Sequence, residues 1–261
     1  MTQALQDSAT MLRRNLRRQL RYPVVAASTV GIPLIFLLLF VFVFGDTLGA
    51  GLGGESAGRG AYLDYVTPGI LLLAITGAAQ STAIAVAMDM TEGIVARFRT
   101  MAIARASVLT GHVAGSLIQT LLGLAVVTGV ALALGFDATA TPLEWLGAIG
   151  LLALVAFAVT WLAVALGLVT KSVEAASNLP MPLILLPFLG SGFVPTESMP
   201  AALRWFAENQ PFTPIMETLR GLLMGTEIGN SGVLAVAWSV AIALGSYVWA
   251  KHLYNRDPTP V

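Results

Sequence analysis

The chain has 261 residues, of which 56% are hydrophobic and 11% charged, and its formal net charge is zero. Soluble proteins carry about 25% charged residues, so this composition excludes an ordinary soluble domain and indicates a membrane protein. The sequence contains no cysteine and two histidines. Disulfides and thiolate metal sites are therefore excluded, and a histidine-built metal site is disfavoured.

Residues 1–22 predict an amphipathic helix on the membrane surface. Leucine and alanine recur there at helical spacing and arginines occupy the other faces, a pattern typical of helices that bind anionic lipid. A disordered basic tail is the alternative. The long basic part and the lack of a small-residue cleavage pattern argue against a secretory signal peptide. The arginines expected at the membrane interface are Arg13, Arg14, Arg17, Arg18 and Arg21.

The apolar segments predict an all-α membrane protein with six transmembrane helices, since about 20 apolar residues cross the hydrocarbon core. The chain is expected to form a single transmembrane domain over residues 1–261, with a glycine-rich loop at 45–64. Pro180, Pro182 and Pro187 predict that the fifth span is kinked or discontinuous. The expected spans are residues 24–44, 66–88, 108–134, 145–169, 175–193 and 233–250.

Three polar residues, Gln80, Ser81 and Thr82, fall near the middle of the second predicted span. Polar side chains at this depth either bond neighbouring helices or contact a substrate. Hydrogen bonds between helices are the favoured interpretation, because they are common in membrane helix bundles.

Residues 194–230 predict neither a span nor a simple loop. Two apolar stretches, 203–206 and 219–224, are too short to cross a bilayer, and four prolines interrupt the segment. Short re-entrant or interfacial helices are therefore expected between the fifth and sixth spans, on the extracellular side.

Basic residues predict the orientation in the membrane. Six spans leave both termini on one side. With the termini in the cytoplasm, only Arg59, Arg204 and Arg220 of the 14 lysines and arginines fall outside. This distribution follows the positive-inside rule and predicts a multi-pass protein of the cell membrane.

The sequence shows no energy source for transport. No GxxxxGK(S/T) phosphate loop occurs, and the middles of the six predicted spans lack Asp, Glu, Lys and Arg. Asp89 and Glu92 are expected at a membrane boundary, where solvation or pairing with Arg97 accounts for them. His112 is expected to be a boundary residue. The chain is thus not expected to be an enzyme, and a transporter of this kind needs a separate subunit that supplies energy.

Residues 89–107 form a predicted cytoplasmic loop between the second and third spans. Ile94, Phe98 and Met101 share one face at helical spacing, and arginines flank them. An amphipathic helix of this kind either docks in the groove of a partner protein or lies on the lipid surface. The residues alone leave these two interpretations equally open.

Two regions resemble one known family, the type-two ABC export permeases, and most nearly their daunorubicin-resistance branch. The loop carries Glu92-Gly93, Arg97-Phe98-Arg99-Thr100-Met101, Arg105, Val108-Leu109 and Gly111-His112, which are similar to the family's signature loop. Ala102 departs from it, because a proline commonly follows the Thr-Met pair. The second region resembles the family's extracellular motif through Pro195, Pro200, Trp205, Phe206, Pro211 and Pro214.

The resemblance covers essentially the whole chain and implies a bacterial permease subunit of an ATP-driven exporter. It implies a dimer of two permease copies or paralogues with two ATPase subunits, which carry ATP and Mg; no cofactor, metal or nucleic acid is expected on this chain. The residues implied to couple to the ATPase are Glu92, Gly93, Arg97, Phe98, Arg99, Thr100, Met101 and Arg105.

The implied cargo is a lipophilic or amphipathic compound such as a drug, an antibiotic or a lipid. In the coupling loop, Arg97 and Arg99 would pair with acidic groups of the ATPase, and Phe98 and Met101 would fill its groove. Two alternatives stay open: a polysaccharide or lipid exporter of the same fold, and a membrane scaffold or sensor that does not transport.

Overall fold

The computed structural model describes residues 23–53, 58–91 and 105–255, together with Arg13, which is helical and exposed. Side chains in these ranges are described except at residues 23–28, 53 and 105–108. The described residues form helices and turns without a strand. Five of their helices are long and apolar enough to cross a membrane: Thr29–Leu52, Arg59–Thr91, Leu109–Ala133, Pro142–Val169 and Ser231–Asn255.

The helices follow one another along the chain with short connections. Helix α1 (Pro23–Leu39) continues through a π-helical turn (Phe40–Phe44) into α2 (Gly45–Gly53), and α3 (Arg59–Thr91), α4 (Arg105–Ala133) and α5 (Pro142–Val169) follow. Next come α6 (Val173–Asn178), α7 (Met181–Leu185), a 3₁₀ turn (Thr196–Ser198), α8 (Ala201–Asn209), α9 (Phe212–Met224) and α10 (Ser231–Asn255).

Helix α3 is the innermost helix of the bundle. In its most apolar stretch 72% of the residues are buried, against 22% in the first apolar helix and 28% in α4 and in α10. The outer helices expose large apolar side chains such as Ile35, Leu122, Leu244 and Val248. Exposed apolar faces of this extent require a non-aqueous surrounding, so the outer helices face lipid or other membrane-embedded protein.

Helices α3 and α5 cross closely because a glycine lies at their contact. A Cβ atom on Gly167 would lie 2.6 Å from the carbonyl oxygen of Ala83 and 3.0 Å from the Cβ of Val86. Small residues at such crossings allow two membrane helices to approach backbone to backbone.

The segment predicted as the fifth span is discontinuous, as its prolines predict. Helices α6 and α7 have 6 and 5 residues, and turns follow from Leu186 to Phe193, so no long fifth helix forms here. Proline lacks the amide hydrogen that continues a helix. The break is tolerated because the segment packs along α3, with Ser177 bonded to Gln80 and Phe193 bonded to Tyr62.

The glycine-rich loop predicted at 45–64 is partly helical, which corrects the expectation. Helix α2 extends to Gly53, and α3 already begins at Arg59. Glycine is a poor helix former, but here α2 packs on the start of α3. A Cβ atom on Gly45 would lie 3.0 Å from the Cγ of Arg59, and Arg59 Nη2 lies 2.8 Å from Asp46 Oδ2. Packing thus outweighs intrinsic propensity.

Two other helix starts are set by capping groups. At α5, the Thr141 hydroxyl accepts a hydrogen bond from the Glu144 amide and Glu144 accepts one from the Thr141 amide, with Pro142 in the first turn. This capping box explains why α5 begins three residues before the predicted span. At α6, the Ser172 hydroxyl accepts a hydrogen bond from the Ala175 amide and caps the helix.

Candidate functional site

The bundle has two distinct ends. At the end that we name the loop end, α3 stops and α4 begins, and the last turns of α5 and α10 join them in an apolar cluster that includes Val86, Leu109, Val164 and Tyr254. At the opposite, far end, residues 186–194 and helix α9 pack on the start of α3, and α8 packs on α9.

Most residues of the predicted coupling loop lie outside the described residues. The structure adds their two attachment points, since α3 continues to Thr91 and α4 starts at Arg105. The loop is therefore shorter than the predicted 89–107. The residues outside the description are Glu92, Gly93, Arg97, Phe98, Arg99, Thr100 and Met101, and likewise Arg14, Arg17, Arg18 and Arg21 of the amino-terminal segment; their roles stay predictions.

A buried polar pair joins α3 to α4 at the loop end. His112 Nε2 lies 3.0 Å from Asp89 Oδ2, and the two residues are 6% and 1% exposed. This corrects the expectation that solvation accounts for Asp89, because that residue is buried. His112 lies near the start of the third apolar helix, as predicted, and is packed inside the bundle. The pairing is across 23 residues of sequence, and no spacing rule within one helix could have found it.

Further from the loop end, polar side chains link α3 to its neighbours. The hydroxyls of Thr82 and Ser116 are hydrogen bonded to each other, and Gln80 Nε2 donates to the Ser177 carbonyl oxygen over 2.7 Å. These contacts confirm the interhelical role predicted for Gln80 and Thr82. Ser81 instead lies 3.5 Å from the carbonyl oxygen of Gly77 in its own helix.

A small cavity lies between α1, α3 and α4 and is lined in part by Thr29, Ala74, Gln119 and Thr120. Its volume of about 10 Å³ is close to the minimum for one water molecule. Pockets for drug-sized ligands have about 300–1,000 Å³. This cavity is therefore too small to hold such a ligand in the described conformation.

Arg220 of α9 contacts two other segments at the far end. Its Nη2 donates to the carbonyl oxygens of Ser191 at 2.8 Å and Tyr65 at 3.2 Å, and its guanidinium carbon lies 4.0 Å from the centre of the Tyr65 ring. From the sequence, Arg220 is expected only as a charge on the outer side of the membrane. Instead, the side chain binds α9 to α3 and to the turn that follows α7.

The motif predicted at the far end is divided between surface and interior. Pro195, Pro200 and Pro211 each directly precede a short helix or turn, where proline does no harm to helical hydrogen bonding. Pro214 lies in the first turn of α9 and is buried. Trp205 and Phe206 of α8 are 69% and 39% exposed, so α8 presents an aromatic surface.

An aromatic cluster packs between the first helix and the broken segment. Phe40 lies 4.7 Å from Phe193, measured between ring centres, and Phe193 stacks on Phe188 at 4.3 Å with nearly parallel rings. The Tyr62 hydroxyl donates to the Phe193 carbonyl oxygen. Aromatic pairs of this geometry add to area burial, which helps to order a segment that lacks continuous helical hydrogen bonds.

Comparison with known proteins identifies the class of this membrane bundle. Residues 7–224 match the sequence model of the ABC-2 type transporter family. The chain belongs to the ABC-2 type transporter family. This membership confirms the predicted resemblance, and it makes the chain a membrane transport subunit rather than an enzyme.

Two relatives of this ABC-2 type transporter are similar along nearly its whole length. A daunorubicin resistance ABC transporter permease protein of Streptomyces coeruleorubidus is 29% identical over 243 residues, covering 92% of this chain and 80% of the relative. A probable doxorubicin resistance ABC transporter permease protein of Mycobacterium tuberculosis is 23% identical over 254 residues, covering 96% of this chain and 89% of the relative.

The Arg220 contacts of this ABC-2 type transporter give a testable stability prediction. Arg220→Leu leaves two carbonyl oxygens without their charged donor, and hydrogen bonds to charged groups contribute about 1.5–3 kcal/mol each. We expect the free energy of unfolding in detergent to fall by about 3 kcal/mol. Arg220→Lys should lower the free energy of unfolding by a smaller amount, because the lysine ammonium keeps the charge but lacks the planar guanidinium group. Thermal unfolding followed by tryptophan fluorescence measures the effect.

The matched control is Arg59→Leu, which removes an exposed arginine that also contacts a carboxylate and an aromatic ring. Exposed ion pairs contribute about 0–1 kcal/mol, so its melting temperature should change little. Equal shifts for Arg59→Leu and Arg220→Leu would contradict the structural role of Arg220.

Proposed function

We propose that this chain is the permease subunit of an ATP-driven exporter that moves lipophilic or amphipathic compounds out of a bacterial cell. The observation that carries the proposal is the match to the ABC-2 type transporter family over residues 7–224. The names of the two relatives, daunorubicin and doxorubicin resistance permeases, support a drug as the cargo. The exporter needs a separate ATPase subunit, because this chain carries no phosphate-binding loop.

We propose six crossings, with the broken segment 173–193 as the fifth. Supporting this, the segment runs antiparallel to α3 from the level of Gln80 to the level of Tyr62, which is about 27 Å along a helix axis. Such a length approaches the thickness of the hydrocarbon core, about 30 Å. Irregular backbone is tolerated at that depth where protein surrounds it.

The proposed orientation places the loop end in the cytoplasm and α8 and α9 outside. It rests on the positive-inside rule, because most of the basic residues fall on loop-end segments. Helices α8 and α9 then form a re-entrant or interfacial pair before the last crossing. The exposed aromatic side chains of α8, Trp205 and Phe206, suit the outer interface of the bilayer, where Trp is enriched.

The proposed transport cycle couples ATP binding to the loop between α3 and α4. The ATPase subunits can favour one permease conformation only by binding it more tightly than the other. The loop, with Arg97, Phe98, Arg99 and Met101, is the proposed contact that carries this difference. No drug-sized volume is needed within one chain, because in a dimer the pathway forms between two copies.

The test is reconstitution of the chain with its ATPase subunit in lipid vesicles. We expect daunorubicin, doxorubicin and other lipophilic cations to raise ATP hydrolysis above its basal rate and to be moved across the bilayer. Neutral sugars serve as the negative comparison. Stimulation of ATP hydrolysis by lipid-linked oligosaccharide instead of drugs would favour a polysaccharide exporter. If the purified chain binds no ATPase subunit, the proposed transport function is excluded.

A further inference from the structure

The buried Asp89–His112 pair occupies a specific place with respect to the proposed coupling loop. Asp89 lies in the last turn of α3, two residues before the helix ends at Thr91, and His112 lies in the second turn of α4. The contact at 3.0 Å therefore joins α3 three residues before residue 92 to α4 eight residues after residue 104. This side-chain bridge links the two helices that carry the loop.

The apolar surroundings of the Asp89–His112 contact favour the one arrangement of α3 and α4 in which this contact forms. Neighbouring side chains of the loop-end cluster, including Val86, Val113, Trp161 and Tyr254, come from four helices and are buried. A carboxylate or imidazole that loses its partner in such surroundings carries a large desolvation cost. Sliding or separation of α3 and α4 would break the contact and take the buried His112 imidazole away from the Asp89 carboxylate.

We propose that Asp89 and His112 are positioning residues that make the ends of α3 and α4 move as one unit when the ATPase moves the loop. The proposal rests on the proposed function, since it needs residues 92–104 to contact an ATPase. Without the bridge, a force on the loop would separate or unwind the helix ends locally. With the bridge, the same force displaces both helices and reaches α5 and α10 through the loop-end cluster.

Another polar link between the same helices provides a matched control. Thr82 and Ser116 are hydrogen bonded between α3 and α4, further from the loop than Asp89 and His112 by about two turns on α3 and one turn on α4. Removing that link by Thr82→Val with Ser116→Ala changes the same helix pair without touching Asp89 or His112. Only the Asp89–His112 bridge should therefore affect coupling strongly.

The test compares three double variants in the full chain, reconstituted with its ATPase subunit and with doxorubicin as the transported probe. Asp89→Leu with His112→Phe replaces both polar groups by apolar ones, a change that membrane insertion and assembly should tolerate. We expect the complex to assemble with basal ATP hydrolysis retained, while doxorubicin transport per ATP falls by about tenfold or more. In the Thr82→Val/Ser116→Ala control, doxorubicin transport per ATP should fall by less than about threefold.

The exchanged pair, Asp89→His with His112→Asp, restores a hydrogen-bonding pair across the same helices. We expect it to transport more doxorubicin per ATP than the apolar pair does. The proposal is overturned if the apolar pair transports like the unaltered chain, or if the exchanged and apolar pairs lose coupling equally. A failure of the unaltered chain to bind or stimulate the ATPase is a different result, because it refutes the proposed function itself.

Discussion

Reversing both charges at Arg97 and Arg99 to glutamate is expected to abolish coupled transport while the chain still inserts in the membrane. In the proposed complex these arginines face acidic groups of the ATPase, so reversal places like charges together. Such contacts cost several kcal/mol, and each 1.4 kcal/mol is a tenfold change in affinity. We expect the ATPase to dissociate from the membrane fraction, which co-purification and drug-stimulated hydrolysis both measure.

The control for charge alone is Lys171→Glu with Lys251→Glu. Both lysines are exposed and are predicted on the same side of the membrane, so the net charge changes equally. This variant should keep the ATPase bound. Drug-stimulated hydrolysis that survives the Arg97/Arg99 reversal, or that is lost equally in the lysine variant, would refute a docking role of the loop.

The second large effect is expected at the crossing of α3 and α5. In Gly167→Val the Cβ atom would lie 2.6 Å from the Ala83 carbonyl oxygen and 3.2 Å from the Ala83 Cα, and backbone atoms cannot rotate away as a side chain can. The helices must separate, which costs about 3 kcal/mol or more for overpacking and lost contact. The melting temperature in detergent and the yield of inserted protein should both fall sharply.

Gly150 supplies the comparison within the same helix. A Cβ atom there meets nothing within 4 Å, and alanine is a better helix former than glycine by about 0.5–1 kcal/mol. Gly150→Ala should therefore leave stability unchanged or slightly raise it, whereas Gly167→Ala should already lower it. If Gly150→Ala and Gly167→Ala have the same melting temperature, α3 and α5 are further apart at Gly167 than the structure shows.

Hydropathy is sufficient to predict the five long helices of the described residues. A helix that crosses the membrane must form its backbone hydrogen bonds internally and cover the backbone with apolar side chains. The segment from 175 to 193 has a similar composition, yet it is broken, and its prolines gave the only local sign of this. Its position along α3 depends on contacts such as Gln80 with Ser177, which join residues far apart in sequence. Local periodicity carries no information about such pairs.

The same limit applies to the charged residues. Orientation rules treat an arginine or aspartate near a span as solvated, and for Arg59, which is exposed, that assumption is adequate. It is wrong for Asp89, which is buried, and for Arg220, which is partly buried, because each has a partner on another helix or turn. A sequence shows which residues carry charge, whereas the partner that makes burial possible is a property of the packed bundle.

Helix α3 has 33 residues, which is about 50 Å of α-helix against a hydrocarbon core of about 30 Å. Its apolar part alone, residues 66–88, measures about 35 Å. A helix longer than the bilayer tilts or thickens the lipid around it, and each ångström of mismatch has a small energetic cost. Because α3 ends at the proposed coupling loop, membrane thickness would act, in the proposed transport cycle, on the angle of the helix that the ATPase moves. Lipid acyl-chain length thus belongs among the conditions expected to set the rate of the proposed export.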